Sequence, residues 1–548
     1  MLVNFMREHN AHVTKHITRN LLLATIVIGI SVFSYGFETA VINTTQAMDA
    51  FAIRFGEQLP GEQTYVLTSA RLAYLNSFPL IAYAIGVVAG HFVGEKFGRK
   101  IVFVGMNLVC IAGVAICVTA GGWGQMLAGR MVLYLHVGIE AWLVPMFLAE
   151  IVPAAARGSV VGQYNLSQTF AGFISAIVTN FTSNYKGDAS WQIPIGLVFI
   201  WPTLVLMFSW LVPESPRWLI RQGRFEEAVD KILYLSGVEK NYPAREEAEL
   251  LMEVVKTAPT QGNWSDLLKG TNKHRTLHGS IAAIVIQITG LPFASVYGTI
   301  FLKQIGVINP FTGTMIKRSL LCIGCLAVMF LVDKTGRRPM YLVCSFINAA
   351  CLMVLGGLGT ISTPSMGIKK GILAMTIIFP TAYIMFASCL TVVKSEIPHT
   401  TLRDKSNMVF WSLSNVFNFA ATFSLPYLLN EPSNLGPRVG LIYGSITCVC
   451  IIWGFLFLPE MTNKSLEEVD EMFEARISAW KTTKWKGTAT AIITELENNG
   501  AAAIRDTSDT TSNNVKEVGN IGGEKIASRR HSKVQTSTKS RERGEVDG

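Results

Sequence analysis

Charge is what this chain is short of. Asp, Glu, Lys and Arg make up 16% of its 548 residues, while half the residues are hydrophobic. A soluble chain of this length would divide into several domains with charged surfaces. Cysteine is scarce too. All nine fall inside apolar stretches, so no disulfide framework is implied, and Cys322-x-x-Cys325 reads as helix packing rather than a redox or metal pair. No zinc-ligand spacing, P-loop or dinucleotide fingerprint occurs, and no nucleophile–base constellation stands outside the apolar runs. No small-residue cleavage site follows the charged lead at 7–19, so the first apolar run reads as a spanning helix and not a signal peptide. An enzyme is therefore not expected, nor a cofactor or metal.

What the chain has in abundance is apolar runs of about 20 residues, the length that crosses a bilayer. Twelve are expected, at 21–41, 73–93, 101–120, 126–147, 160–181, 193–212, 280–302, 311–332, 340–360, 371–393, 407–429 and 439–458. Lys and Arg gather in the leading segment 1–20, after the second, fourth and eighth runs, and in the long segment after the sixth. Positive charge marks the cytoplasmic side, which places both termini inside. The net charge of +9 is accounted for in this way and implies no nucleic acid. The division expected is a bundle of six helices at 21–212, a cytoplasmic linker at 213–279, a second bundle at 280–458 and a tail at 459–548. In the linker, 225–235 and 246–255 have the periodicity of short amphipathic helices. From about residue 485 the tail is rich in Ser, Thr, Lys and Arg and reads as disordered. Asn43 (NTT) and Asn180 (NFT) are glycosylation sequons expected on the outer side.

The loops on the inner side come twice. VGEKFGRK, AEIVPAAARG and PESPRWL in the first half are answered, in the same order and at nearly constant spacing, by VDKTGRRP, SEIPHTTLR and PEMTNKSLEE in the second. Two parallel halves of a secondary transporter have this signature. The motifs bring Glu95, Arg99, Glu150, Arg157, Glu214 and Arg217, then Asp333, Arg337, Glu396, Arg403 and Glu460, to helix ends. Carboxylate–guanidinium pairs there can latch helices while the inner side is shut and release them when it opens, because the planar fork of arginine binds a carboxylate in two places. The plainer alternative is ordinary surface ion pairing, at about 0–1 kcal/mol each.

These motifs resemble the sugar porter family of the major facilitator superfamily over about residues 21–473. PESPRWLI is specific to that family, and EIPHTTLRDKS is similar to its fungal α-glucoside permease branch. The resemblance implies an all-α membrane protein with twelve transmembrane helices in two pseudo-symmetric six-helix bundles. It also implies a midplane site for a small solute, alternating access, residence in the plasma membrane and function as a monomer. YGFETAVI puts Glu38 where proton-coupled members have an aspartate acceptor, and GRMVLYLHVG puts Arg130 at their matching arginine. A charge at mid-bilayer costs about 2.5–3.5 kcal/mol, so it needs a reason. A carboxylate that pairs with arginine in one conformation and not in another can take up and release a proton. A purely structural pair is the other reading.

His136 and Glu140, one helical turn apart where the family has a glycine face, form a further polar pair, either private or facing solute. Substrate-binding positions carried over are Asn165, Gln287, Tyr297, Asn415 and Asn418, whose amides and phenol both donate and accept. The family pattern is broken at Val198, Ile286, Pro292, Val296 and Thr391. Pro292 within the seventh run also removes a backbone donor, freeing carbonyls for solute. Three functions stay open: proton-coupled uptake of a sugar or close relative, a facilitator or exporter of a non-sugar metabolite, and a nutrient sensor built on the transporter fold.

Overall fold

The computed structural model describes residues 18–58, 64–152, 154–236, 243–257, 262–462, 464, 466–483, 485 and 487. Its long helices follow the apolar runs and are extended at their ends by polar caps. They are α1 (Arg19–Thr45), α2 (Ser69–Phe97), α3 (Arg99–Val118), α4 (Trp123–Ile151), α5 (Ala154–Thr182), α6 (Ala189–Leu211), α7 (Asn272–Ile305), α8 (Pro310–Thr335), α9 (Arg337–Leu358), α10 (Met366–Glu396), α11 (Arg403–Leu429) and α12 (Val439–Phe457). Hydroxyl and amide side chains start several of them. Thr18 accepts from the Leu21 amide, Thr68 from Arg71 and Asn309 from Phe311, each satisfying an otherwise orphaned N–H.

Eleven of these helices are long and apolar enough to cross a membrane. The remaining one, α5, has 29 residues, the same length as α2. Its inner half carries Gln163, Asn165, Ser167, Gln168 and Thr169, which dilute its hydropathy. A spanning helix with that many polar groups must turn them toward protein or a water-filled path.

Two interruptions matter. In α7 the helix stops after Ile288, Gly290 adopts a left-handed conformation (φ 100°), Leu291–Ser295 makes one turn, and the helix resumes at Gly298. The break expected at Pro292 thus begins two residues earlier, where only glycine tolerates the backbone. Second, α2 lies directly on α4: a Cβ added to Gly86 would sit 2.3 Å from the Leu135 carbonyl oxygen. Small residues permit such backbone contact where no hydrophobic drive separates helix from lipid.

The two halves meet along α5 against α8 and α2 against α11. In the linker, helices at Phe225–Ser236 and Ala244–Thr257 stand where amphipathic periodicity predicts them. A further helix, Leu466–Glu474, follows α12. The segment read from sequence as a disordered tail lies almost wholly outside the described residues.

Candidate functional site

The repeated loops build the same device twice. In the first half Glu214 accepts from the backbone N–H of Arg99 (2.8 Å) and of Lys100 (3.2 Å), capping the start of α3. In the second, Glu460 accepts from Arg337 (3.0 Å) and Arg338 (3.1 Å), capping α9. The Arg99 side chain, fully buried, reaches Glu95 (2.8 Å) and Glu150 (3.2 Å); Arg337 reaches Glu396 (3.1 Å). Gly98 and Gly336 sit at matching positions with φ near 100° and 92°. A Cβ on either would strike the glutamate, at 2.4 and 2.7 Å.

Burial alone would raise the Glu460 carboxyl. Hydrogen bonds from the Thr462 hydroxyl and from the amides of Thr462, Arg337 and Arg338 outweigh it and hold the group below its ordinary value. Arg217 lies in the short helix Pro216–Arg221, and Arg403 heads α11. The side chains of Arg157 and Asp333 lie outside the described residues.

Each of these pairs ties helices of one half. None of the inner-side ion pairs formed between described residues joins the two halves. Contacts on the outer side do. The Lys303 ammonium donates to the Ala47 carbonyl (2.8 Å) and to Asp49 (2.6 Å), and Ser69 donates to the Glu431 carbonyl (2.8 Å).

Between α1, α3 and α4 lies a buried polar cluster, wired differently from the sequence expectation. Glu38, 1% exposed, faces Nδ1 of His136 (3.6 Å) and accepts from the Cys110 thiol (3.3 Å). Arg130 does not pair with it. The guanidinium donates to Asn76 (2.8 Å), whose amide is in turn bonded to Gln46, and lies over the Tyr134 ring. Six residues separate Arg130 from His136 along α4, roughly 9 Å of rise, and Glu38 sits at the level of the histidine. The expected His136–Glu140 pair is likewise absent. Glu140 instead accepts from the Tyr164 phenol of α5 (3.0 Å). Sequence spacing on one helix found both residues but could not see that each points to a different neighbour. Both ring nitrogens of His136 are buried without a hydrogen bond.

The carried-over substrate positions gather only in part. Gln287 donates to Ser414 (2.8 Å), Asn418 accepts from Thr422 (3.2 Å), and Asn415 donates across the halves to the Leu80 carbonyl (3.3 Å). Tyr297 is buried, its hydroxyl donating to the carbonyls of Leu72 and Thr422 (3.3 and 3.2 Å), so here it serves the outer seam between the halves. Asn165 is exposed on α5. Val198 and Ile286 are buried apolar groups where the family has amides.

Two corrections concern the sequons. Asn43 is buried within α1, and the Asn180 carboxamide accepts from Thr312 (3.1 Å) inside the α5–α8 seam. A glycan acceptor needs an exposed loop, and neither residue offers one.

Lys317 and Arg318 went unnoticed in the sequence. They stand side by side about two turns into α8, next to Gly298 of α7 and Gly172 of α5 respectively. The available signal was simple: two adjacent cations inside an apolar run.

A family model described as sugar (and other) transporter matches residues 23–473. Hexose transporter HXT9 of Saccharomyces cerevisiae is 27% identical over 484 residues, covering 84% of this chain and 83% of that protein. The low-affinity glucose transporter HXT3 of the same yeast is 26% identical over 487 residues, covering 85% and 84%. Among solved structures, the inward-open xylose transporter XylE of E. coli matches with a TM-score of 0.68 at 20% identity, over 82% of this chain and 98% of that one. XylE bound to 6-bromo-6-deoxy-D-glucose, described as a proton:xylose symporter of the major facilitator superfamily, matches at 0.63 and 20%, over 83% and 99%. The likeness to XylE carries the twelve-helix, two-bundle architecture and nothing finer.

Proposed function

The chain belongs to the sugar transporter family, and from that premise we propose that it carries a sugar or sugar-like solute across the plasma membrane by alternating access, coupled to proton symport. Both termini lie in the cytoplasm, the working unit is the monomer, and the partners are the solute, protons and the lipid bilayer. The observation that carries the reading is Glu38: a carboxylate buried in a membrane helix, with a titratable imidazole at 3.6 Å and a guanidinium on the same partner helix held apart from it. Alternating access that moves Glu38 between His136 and Arg130 would let the carboxylate take up a proton on one side of the membrane and release it on the other. Hexose transporter relatives and the named symporter support both parts of the proposal.

The double glutamate caps and arginine pairs hold each half rigid, so the halves can rock about the α5–α8 and α2–α11 seams. In the arrangement described, the polar contacts between the halves lie on the outer side and at mid-membrane, which suits a solute path open to the cytoplasm. Solute is read by Asn165, Gln287, Asn415 and Asn418, with Tyr297 closing the outer seam. A second reading, a facilitator or exporter of a less polar metabolite, is favoured by the buried apolar groups Val198 and Ile286.

Uptake of radiolabelled glucose, maltose, myo-inositol and quinate by transport-null cells expressing the chain, with and without uncoupler, separates the two. Symport predicts accumulation that the uncoupler abolishes. Equilibration insensitive to uncoupler favours the second reading and removes proton coupling.

A further inference from the structure

Arg318 is a charge without an assignment, and neither the inner-side caps nor the Glu38 cluster uses it. On α8 the exposed apolar side chains Ile316, Ile323, Leu326 and Phe330 mark the lipid face. At about 100° per residue, Arg318 falls on the opposite side, toward the other half. Its guanidinium nitrogen would stand 3.2 Å from a Cβ on Gly172 of α5, and the methyl of Ala40 of α1 lies 3.7 Å from the same point. Glycine at 172 therefore leaves the room the guanidinium occupies. Three helices, two from the first half and one from the second, converge on this group.

Arg318 makes no ion pair with any described residue, and its Nε is buried without a hydrogen-bond partner. The membrane-embedded carboxylates of the first half are engaged elsewhere, Glu38 with Cys110 and His136, and Glu140 with Tyr164. Lys317, the preceding residue, is buried and turns its ammonium to Gly298 of α7 within its own half, away from this seam. A half-buried guanidinium with no ion-pair partner suits a planar, two-oxygen group, and carboxylate matches its fork. Asn165 stands seven residues before Gly172, hence two turns toward the cytoplasm on the same face of α5, where an amide can read a hydroxyl.

We propose that Arg318 forms an anion site between α1, α5 and α8, and that the transported solute is a polyhydroxylated monocarboxylate, a sugar acid or cyclic hydroxy acid, rather than a neutral hexose. This rests on the transport reading above and names its substrate class. The carboxylate lies against Arg318 and the hydroxyls extend inward toward Asn165 and the α11 amides. Loss of hydroxyl-reading groups at Val198 and Ile286 fits a solute held chiefly by its charge.

The test is equilibrium binding to the purified full-length chain in lipid nanodiscs, with D-gluconate, D-glucose and inorganic phosphate as probes. The expected result is that gluconate binds about tenfold or more tighter than glucose and that phosphate competes poorly. Arg318→Gln removes the preference, and Arg318→Lys keeps part of it. The lysine variant keeps the proposal testable should the glutamine variant fold poorly. Glucose binding as well as gluconate, a preference that survives Arg318→Gln, or phosphate competing as well as gluconate overturns the carboxylate site while leaving sugar transport standing. Binding of neither glucose nor gluconate overturns both readings.

Discussion

Glu38 and His136 each occupy a place where water cannot reach them, 1% and 0% exposed. Their proximity, not either residue alone, makes a proton acceptor possible. Replacing Glu38 with Gln keeps shape and removes titration. Concentrative uptake is expected to fall to equilibration while solute exchange across the membrane persists; a variant that still accumulates solute would show that the proton travels elsewhere. His136→Asn keeps a polar group but no proton affinity near neutrality. Uncoupler-sensitive accumulation per folded transporter should fall relative to wild type, whereas a merely packing histidine would change only the amount of folded protein.

The sequence made Glu38, Arg130, His136 and Glu140 visible, because charge in an apolar run is conspicuous. Their partners were not legible. Pairing depends on the rotation of three helices, and a single methylene separates the glutamate here from the aspartate that the family resemblance supplied.

At the level of elements, the inner-side loops of the two halves are the best-read part of the chain. GRK and GRR, PES and PEM each became a glycine turn, an arginine paired with a carboxylate and a capping glutamate with nearly the same geometry. Gly98 and Gly336 adopt extended backbone with φ near 100° and 92°, a region that only glycine enters freely. Gly336→Ala should cost about 1–3 kcal/mol, seen as a lower melting temperature of the purified protein. An unchanged melting temperature would mean the turn relaxes without penalty.

Glu460 offers a pH test at the same site. Its carboxyl is held below the ordinary 4.5 in the folded protein, so the stability it contributes is present above that value and is lost as pH falls through the lower folded one. Thermal melting of wild type should therefore decline steeply only below about pH 4.5, and Glu460→Gln should flatten that decline. An identical acid profile in both would place the linkage on other groups. The break in α7 was legible only approximately, because proline announces itself and a left-handed glycine does not. The polar helix α5 was recognised as a span although its hydropathy is weak, yet the approach of Arg318 to Gly172 depends on packing that no pattern reveals.

Across the whole molecule, duplication explains why the fold was readable before the solute was. Each half needs only apolar length, inner-side cations and the capping motifs, all written locally. The lining between the halves is assembled from α1, α5, α7, α8 and α11, far apart in sequence, so a substitution there changes specificity without changing any signature. Arg318 shows this: the twelve-run pattern absorbs it, and only the packing of α8 on α5 and α1 turns it toward the other half.

Coupling to protons also has a size at this scale. A proton moving inward through about 150 mV releases roughly 3.5 kcal/mol, enough for over two decades of solute accumulation. The most direct measurement is the external pH of a lightly buffered suspension of de-energised cells expressing the chain, recorded as a pulse of solute is added. Symport through Glu38 predicts a transient alkalinisation in wild type that disappears in Glu38→Gln. Solute entry with no pH change in wild type, or the same alkalinisation in the variant, would contradict it.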